Sequence, residues 1–408
     1  MERINREEYL NVLKNFKDQQ IIKVITGIRR CGKSTLLEMF QDYLIVNGVG
    51  KDQIVSINFE EADFEELQDR KKLYEYLKTK LVKGKKTYIF LDEIQKVDEF
   101  EKIVDSLYIN KDVDLYITGS NAWLLSSELA TLLTGRYIEI KMLPLSFKEY
   151  VSAFEDKGDL SRKFRDYLRY SSFPQAIELY KINPDNIKLF LDGIYNTILF
   201  KDVMQRKGIT DRNTLERVAK YLYDNIGNRT SMKSISDNIE GLDKNSSYNT
   251  VSVYIQALID SFIVYKANRY DIKGKEFLKT QEKYYAIDIG LRYYMLGQGS
   301  GKDMGHILEN IVYLELLRRG YEVYIGKYDD LEVDFVAKTT ENVEYYQVAL
   351  TTRSDEKENA VLERELAPLR KINDNYPKYI LTLDDDLDAD FDGIKKINVL
   401  DWLLEEGK

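Results

Sequence analysis

Gly27-Ile28-Arg29-Arg30-Cys31-Gly32-Lys33-Ser34 satisfies the spacing GxxxxGK[ST] at every position, and Thr35 follows it. Such a turn points successive backbone N–H groups into one concavity, and a helix N-terminus behind it adds partial positive charge. Lys33 is then placed to reach the β- and γ-phosphates of a nucleotide, and the Ser34 hydroxyl to hold Mg²⁺. Asp92-Glu93 follows an apolar run and supplies two carboxylates. Asp92 suits the Mg²⁺ shell, and Glu93 suits polarising the water that attacks the γ-phosphate. Cys31 lies between Arg30 and Gly32, two residues before Lys33. Two cations and the helix N-terminus favour its thiolate, which makes it reactive wherever it is exposed.

Particular elements must position these groups. The β-branched run Ile21-Ile22-Lys23-Val24-Ile25 predicts a strand before the loop, and Ser34 to Phe40 predicts a helix after it. A helix is expected over 2–20. Further strands are predicted at 54–59, 87–93, 114–118 and 137–140, with helices at 64–82 and 98–110. Strands alternating with helices imply a parallel sheet covered on both faces. Ligands of such sheets bind at the C-terminal strand ends, where Glu93 and Gly119-Ser120-Asn121 fall.

With these motifs placed, the chain resembles the AAA+-related P-loop ATPases. The resemblance implies ATP as ligand and Mg²⁺ as cofactor. It puts Ser120 or Asn121 at the sensor position that contacts the γ-phosphate or attacking water. It also makes Arg136 similar to an arginine finger, which would imply action across a homo-oligomer interface.

Residues 144–204 read as helical, with Phe147, Tyr150, Val151 and Phe154 at helical spacing. This segment is expected to be a helical lid. Residues 205–302 read as three helices and two paired strands, the pattern of a winged helix-turn-helix. Ser246, Ser247, Tyr248, Asn249 and Thr250 open its third helix, yet no Lys or Arg occurs between 245 and 265. Nucleic acid is one partner for this segment; a structural or protein-docking role is the other.

Residues 303–408 predict the order αβββαβ. This order, with an Asp and then Gln-x-x, is similar to the restriction-endonuclease-like PD-(D/E)xK fold. The resemblance implies Glu309 or Glu315, Asp334 and Gln347 as the metal-binding positions. Its lysine position is Ala349. The expectation is therefore that the nuclease chemistry is lost, for want of the cation that stabilises the attacked phosphate. Asp384-Asp385-Asp386 reads as a solvated acidic loop, with a calcium site as its rival. End to end, the three parts resemble a prokaryotic family of uncharacterised ATPases.

Composition bounds the rest. The 408 residues are 44% hydrophobic and 32% charged, which describes folded domains. One cysteine excludes an internal disulfide, and one histidine, His306, excludes a multi-histidine metal site. No apolar run spans a membrane, the N-terminus is too polar for a signal peptide, and a cytoplasmic location is expected. The net charge of −9 is unevenly spread: 303–408 has 13 Lys and Arg against 25 Asp and Glu, while 205–302 has 16 against 11. The expected architecture is thus an α/β P-loop ATPase core (1–143), a helical lid (144–204), a winged helix (205–302) and a degenerate endonuclease-like domain (303–408). The expected activity is Mg²⁺-dependent ATP hydrolysis driving conformational change. An ATP-regulated nuclease and a non-hydrolysing ATP-binding switch are its rivals.

Overall fold

The computed structural model describes residues 3–125, 133–156, 158–205, 208–239, 247–297, 303–353, 360–386 and 388–405. The chain forms two compact units, 1–144 with 260–262, and 145–259 with 263–408. The first boundary lies one residue from the one expected at 143/144.

The first unit is built on β1 (Ile22–Thr26), which is buried along its whole length. Around it the elements run α1 (Glu7–Asn15), α2 (Lys33–Val46), β2 (Ile54–Asn58), α3 (Arg70–Lys80), β3 (Thr87–Asp92), α4 (Phe100–Tyr108), β4 (Val113–Gly119) and β5 (Tyr137–Lys141). The sheet is parallel, in the order β2-β3-β4-β1-β5. Side chains alternate along each strand, so each face takes its own cover. Ile89, Leu91, Leu115 and Ile117 pack with Leu73, Leu77, Ile103 and Leu107 of α3 and α4. Phe90 and Tyr116 stack at 4.8 Å and meet Phe40 of α2 on the other face. The helix expected over 64–82 begins late. Residues 62–68 are 3₁₀, and the Asp69 carboxylate accepts the Lys71 and Lys72 amides at 3.0 and 2.9 Å, which starts α3 at Arg70. Lys23, in the middle of β1, is buried against the Asp114 carboxylate, which also accepts the Tyr116 hydroxyl at 2.9 Å. Burial leads its surroundings and holds the Lys23 pKa below the ordinary lysine value.

The second unit begins with helices α5 (Phe147–Ser152), α6 (Leu160–Tyr170), α7 (Pro174–Ile182) and α8 (Asn186–Thr197), continued by a π-helical stretch Ile198–Gln205. The expected aromatic stripe is core packing: Phe147 meets Phe164 and Tyr167, and Tyr150 meets Phe154. Helices α9 (Arg212–Asp224), α10 (Met232–Asn238) and α11 (Ser247–Asp260) precede the hairpin β6 (Val264–Asp271) and β7 (Glu276–Ala286), in the expected order. Tyr248 and Asn249 are exposed, whereas Ser246 lies outside the described residues.

After α12 (Ile289–Leu296) and α13 (Met304–Arg318) come β8 (Glu322–Tyr328), β9 (Leu331–Lys338), β10 (Val343–Ala349), α14 (Ala360–Lys371), β11 (Lys378–Thr382), β12 (Ala389–Phe391), β13 (Ile394–Asn398) and α15 (Val399–Leu404). The hairpin is not free-standing. All eight strands form one sheet, β12-β13-β11-β10-β9-β8-β6-β7, in which β6 lies parallel to β8. The sheet therefore crosses the boundary expected at 302/303. Helix α13 joins the parts: the Asn310 side chain donates to the Ala286 carbonyl at 2.8 Å and accepts its amide at 2.7 Å.

Candidate functional site: a phosphate loop at the strand ends

The loop 27–32 links β1 to α2. Gly27 has φ 155°, and a Cβ there would run into the Met142 carbonyl oxygen. Gly32, at φ 105°, is the N-cap of α2 and adopts a left-handed backbone that a Cβ disfavours. Arg30 is also left-handed, at φ 66°, and its side chain is exposed. Arg29 pairs with Glu60 at 2.7 Å. Ile28 and Cys31 are fully buried and anchor the loop from below, whereas Ser34 and Thr35 are exposed.

Lys33 opens α2 and is only 4% exposed. Its ammonium donates to the carbonyls of Gly27 and Ile28 at 3.0 and 3.3 Å and stands 3.4 Å from Glu93 Oε1. Glu93 comes just past β3, with a left-handed backbone at φ 54°. Its amide donates to Thr118 Oγ1 at 2.9 Å, Ser120 Oγ donates to its Oε2 at 2.7 Å, and the Gln95 amide group donates to the same oxygen. Thr118 donates to Asp92 Oδ1, and the Ser34 hydroxyl bonds the same carboxylate. Lys33, Ser34, Asp92, Glu93 and Ser120 thus converge at one edge of the sheet.

Charge follows this geometry. Burial raises the Asp92 pKa above its ordinary value, against the Ser34 and Thr118 hydrogen bonds. Burial also opposes ionisation of Glu93, but the Lys33 ammonium, the Ser120 hydroxyl and Arg29 outweigh it and lower its pKa. Lys33 is the mirror case: burial disfavours its charge, and Glu93, first among its neighbours, restores it and raises its pKa. The pair is held ionised. Cys31 departs from expectation. It is 0% exposed, and burial raises its pKa despite Lys33 and Arg6, so its thiolate is disfavoured.

Two buried side-chain atoms near Glu93 and Ser120 have no hydrogen-bond partner, Asn121 Nδ2 and Gln95 Oε1. Orphaned buried polar atoms are costly, so they suit a site completed by a polar ligand. Arg136 is not at this edge. It precedes β5, its carbonyl accepts the Ile22 amide at 2.9 Å, and its side chain pairs with Asp105 and lies over Tyr108. That is the opposite end of β1 from the loop, about 16 Å away over five residues.

Sequence reasoning missed Arg6, Tyr9, Gln95 and Thr118. Arg6 is 3% exposed and donates to the Cys31 carbonyl at 2.9 Å and the Leu143 carbonyl at 2.7 Å. The Tyr9 hydroxyl accepts the Leu143 amide at 3.1 Å. These residues of and just before α1 tie the loop to the segment after β5. An arginine and an aromatic in a polar N-terminal helix carry no local signal of that task.

In the second unit, Glu309 and Glu315 separate. Glu315 accepts Arg318 and Arg319 at 2.6 and 3.0 Å, an ion pair local to its helix. Glu309 interacts electrostatically with Asp334, whose pKa is pushed up to about 8 by burial first and by Glu309 next. Asp334 Oδ2 accepts the Val348 amide at 2.8 Å. Gln347 bridges, accepting the Asp334 amide at 2.8 Å and donating to Glu365 at 2.9 Å. The acidic loop is not simply solvated. Asp384 is buried and accepts Thr351 Oγ1, Thr352 Oγ1 and the Thr352 amide at 2.6–2.9 Å, while Arg353 takes Asp385 and Asp386. Among the described residues, no three His, Cys, Asp or Glu side chains group around one metal-sized position.

The loop, the strand-end carboxylates and the sheet order define a AAA-type P-loop domain of the α/β class. An AAA-domain family model matches residues 19–151, and a model described as a domain of unknown function matches 161–302. The Walker-type ATPase PABY2304 of Pyrococcus abyssi shares this fold at 13% identity, with a TM-score of 0.50 over 72% of this chain and 96% of that one. An uncharacterized protein of Haemophilus influenzae is 40% identical over 98% of this chain and 99% of its own length. Uncharacterized protein MJ1544 of Methanocaldococcus jannaschii is 30% identical over 98% of this chain and 88% of its own. The chain belongs to one family with these two proteins. No helix among the described residues is long and apolar enough to cross a membrane.

Proposed function

We propose that the first unit hydrolyses ATP, with Mg²⁺, at the bond between the β- and γ-phosphates. The observation that supports this reading most is the buried contact of Lys33 with Glu93, which Ser120 holds from its other side. Lys33 donates to the terminal phosphates in place of the carbonyls it now meets. Glu93, released from Lys33 but still oriented by Ser120 and Gln95, takes the proton of the attacking water. The unpartnered Asn121 amide donates to the γ-phosphate or to that water. The backbone of 27–32 and Thr35 line the remaining phosphates. Ser34 and Asp92 would hold Mg²⁺, which when bound offsets the charge of the triphosphate.

Because Arg6 bonds both Cys31 and Leu143, a shift of the loop on nucleotide binding is passed to the chain just ahead of Pro144. The helices of 144–204 are read as the lid that responds. Residues 205–302 are read as a winged helix used for packing, since its third helix has no Lys or Arg, and 303–408 as a degenerate endonuclease-like domain. Arg136 would serve only in trans, across a contact between copies. Release of inorganic phosphate by the purified chain tests the activity. Mg²⁺-dependent turnover that fails in Lys33→Ala is expected. ATP binding without turnover would replace this reading with a non-hydrolysing switch.

A further inference from the structure

The residues between Gly27 and Gly32 divide by their surroundings. Ile28 and Cys31 are buried, and Arg30 is exposed. Arg29 is held against an acid at the strand ends. Its Nη1 stands 2.7 Å from Glu60 Oε1, with the arginine side chain 15% and the glutamate side chain 45% exposed.

The sheet order says what that pair crosses. Arg29 follows β1, whereas Glu60 follows β2, and β4 and β3 stand between those strands. Neighbouring strands lie about 4.8 Å apart, so the ends of β1 and β2 are separated by about 14 Å. The pair therefore passes over the end of β3, where Asp92 and Glu93 sit. Two contacts fix its far side. The Phe59 amide donates to the Asp92 carbonyl at 3.1 Å, and the Glu60 amide donates to Asn58 Oδ1 at 2.9 Å. Arg29 is also one of the cations whose field acts on Glu93. Its guanidinium thus belongs to the edge where Lys33, Ser34 and Glu93 converge, whereas Arg136 lies at the opposite end of β1.

We propose that Arg29 is an arginine finger acting in cis: on ATP binding its guanidinium leaves Glu60 and donates to the γ-phosphate oxygens. The inference rests on the hydrolysis reading above and names a residue that carries its transition state. A planar guanidinium that fits a carboxylate also fits two phosphate oxygens, and an ion pair with a half-exposed partner holds it weakly. In the reaction the water oxygen bonds to the γ-phosphorus, and its proton passes to Glu93. The bond from that phosphorus to the bridging oxygen breaks, and its electron pair leaves on ADP. Negative charge grows on the bridging and γ-phosphate oxygens as this happens. Lys33 reaches that charge from α2 and Arg29 from the side of β2, so both cations come from one chain. Glu60 is the resting partner that keeps the guanidinium over the site while it is empty of phosphate.

The test uses the full chain with Mg²⁺, and thermal unfolding shows which variants are folded. Arg29→Ala should lower kcat about 10³-fold or more. Arg29→Lys should recover only a small part of that loss, because an ammonium has no fork. Affinity read by calorimetry is independent of turnover. Arg29→Ala should bind ADP with aluminium fluoride, which mimics the transferring phosphoryl group, about 10²-fold more weakly, and a non-hydrolysable ATP analogue less than about 10-fold more weakly. Arg29→Ala mixed with Glu93→Gln should stay as slow as its two parts. Glu60→Gln should turn over ATP at least as fast as the wild type. Wild-type turnover in Arg29→Ala overturns the proposal and leaves the hydrolysis reading standing. Activity regained on mixing also overturns it, since the cation then comes from another copy. Equal losses of affinity for the two ligands would make Arg29 a ground-state contact, and Glu60→Gln as slow as Arg29→Ala would make the pair a structural brace; either result overturns it. Wild-type protein that turns over no ATP removes the hydrolysis reading itself, and this proposal with it.

Discussion

Among the described residues each unit holds a buried lysine–glutamate pair, and the two pairs are built differently. Lys33 and Glu93 are 4% and 9% exposed and stand 3.4 Å apart. Lys283 and Glu309 are 4% and 8% exposed and stand 2.8 Å apart. In both, burial opposes the charges, each partner restores the other's, the lysine pKa is raised and the glutamate pKa lowered. The first pair is loose: Lys33 spends its hydrogen bonds on loop carbonyls, and Glu93 is steadied by Ser120 and Gln95. The second pair is tight, with Tyr285 and Glu332 closing around it. Equal burial therefore does not mean equal task; what surrounds the pair decides whether it opens.

The sharpest break of this comparison is Lys33→Ala. It should abolish ATP binding, measured by calorimetry, because the phosphates lose their buried cation. Retained binding would mean that 27–34 is not the nucleotide site. Glu309→Gln comes next. Leaving Lys283 with one carboxylate fewer should cost about 3–5 kcal/mol in denaturant unfolding of the second unit. A change under about 1 kcal/mol would show that Glu332 alone suffices and that the tightness described above is not energetic.

The same substitution in the loose pair should behave oppositely. Glu93→Gln should keep ATP binding and stability but slow hydrolysis by about 10²-fold or more. Wild-type turnover in that variant would remove Glu93 from its assigned role.

A smaller effect comes from Asp384, whose pKa is lowered to about 2; burial opposes this, and the Thr351 and Thr352 hydrogen bonds outweigh it. A lowered carboxylate pKa contributes stability above the unfolded value near 4 and loses it as pH falls toward 2. Asp384→Asn should thus cost about 2 kcal/mol at neutral pH and almost nothing near pH 2. An equal cost at both would assign the loss to packing. The smallest signal is at Cys31. With the thiol buried and its pKa raised, maleimide should label native protein slowly with or without Mg-ATP, and at full rate once unfolded. Fast native labelling that ATP suppresses would show that the loop opens in solution.

The comparison also explains what could be read from sequence. Gly27 to Ser34 is a contiguous motif whose geometry is local, and Asp92-Glu93 and Ser120 sit at strand ends that a parallel sheet must bring together. Every strand of the first unit was legible for that reason. Lys283 was not, because its partners come from α13 and β9, and nothing in Glu282-Lys283-Tyr284 distinguishes it from a surface lysine. Asp384 was misread in the same way: a run of acids looks solvated until Thr351 and Thr352 are seen beneath it. Arg136 precedes β5, and a parallel sheet puts such a residue at the edge away from its own phosphate loop, so the part expected of it is one across a contact between copies. The 302/303 boundary followed a change in rhythm and charge, whereas pairing of β6 with β8 obeys neither.

That last pairing has a consequence during synthesis. The five-stranded sheet has all its strands once Lys141 has emerged, so that sheet can close while the rest is still being made. The β6–β7 hairpin emerges by Ala286, but its neighbour β8 begins only at Glu322, and β13 ends at Asn398. Until then β6 presents a row of unmatched amides and carbonyls, a template for a neighbouring nascent chain on the same messenger. Ribosome pausing between residues 286 and 322 should therefore be the most hazardous point in the life of this protein, and a holding chaperone should bind there rather than on the ATP-binding unit.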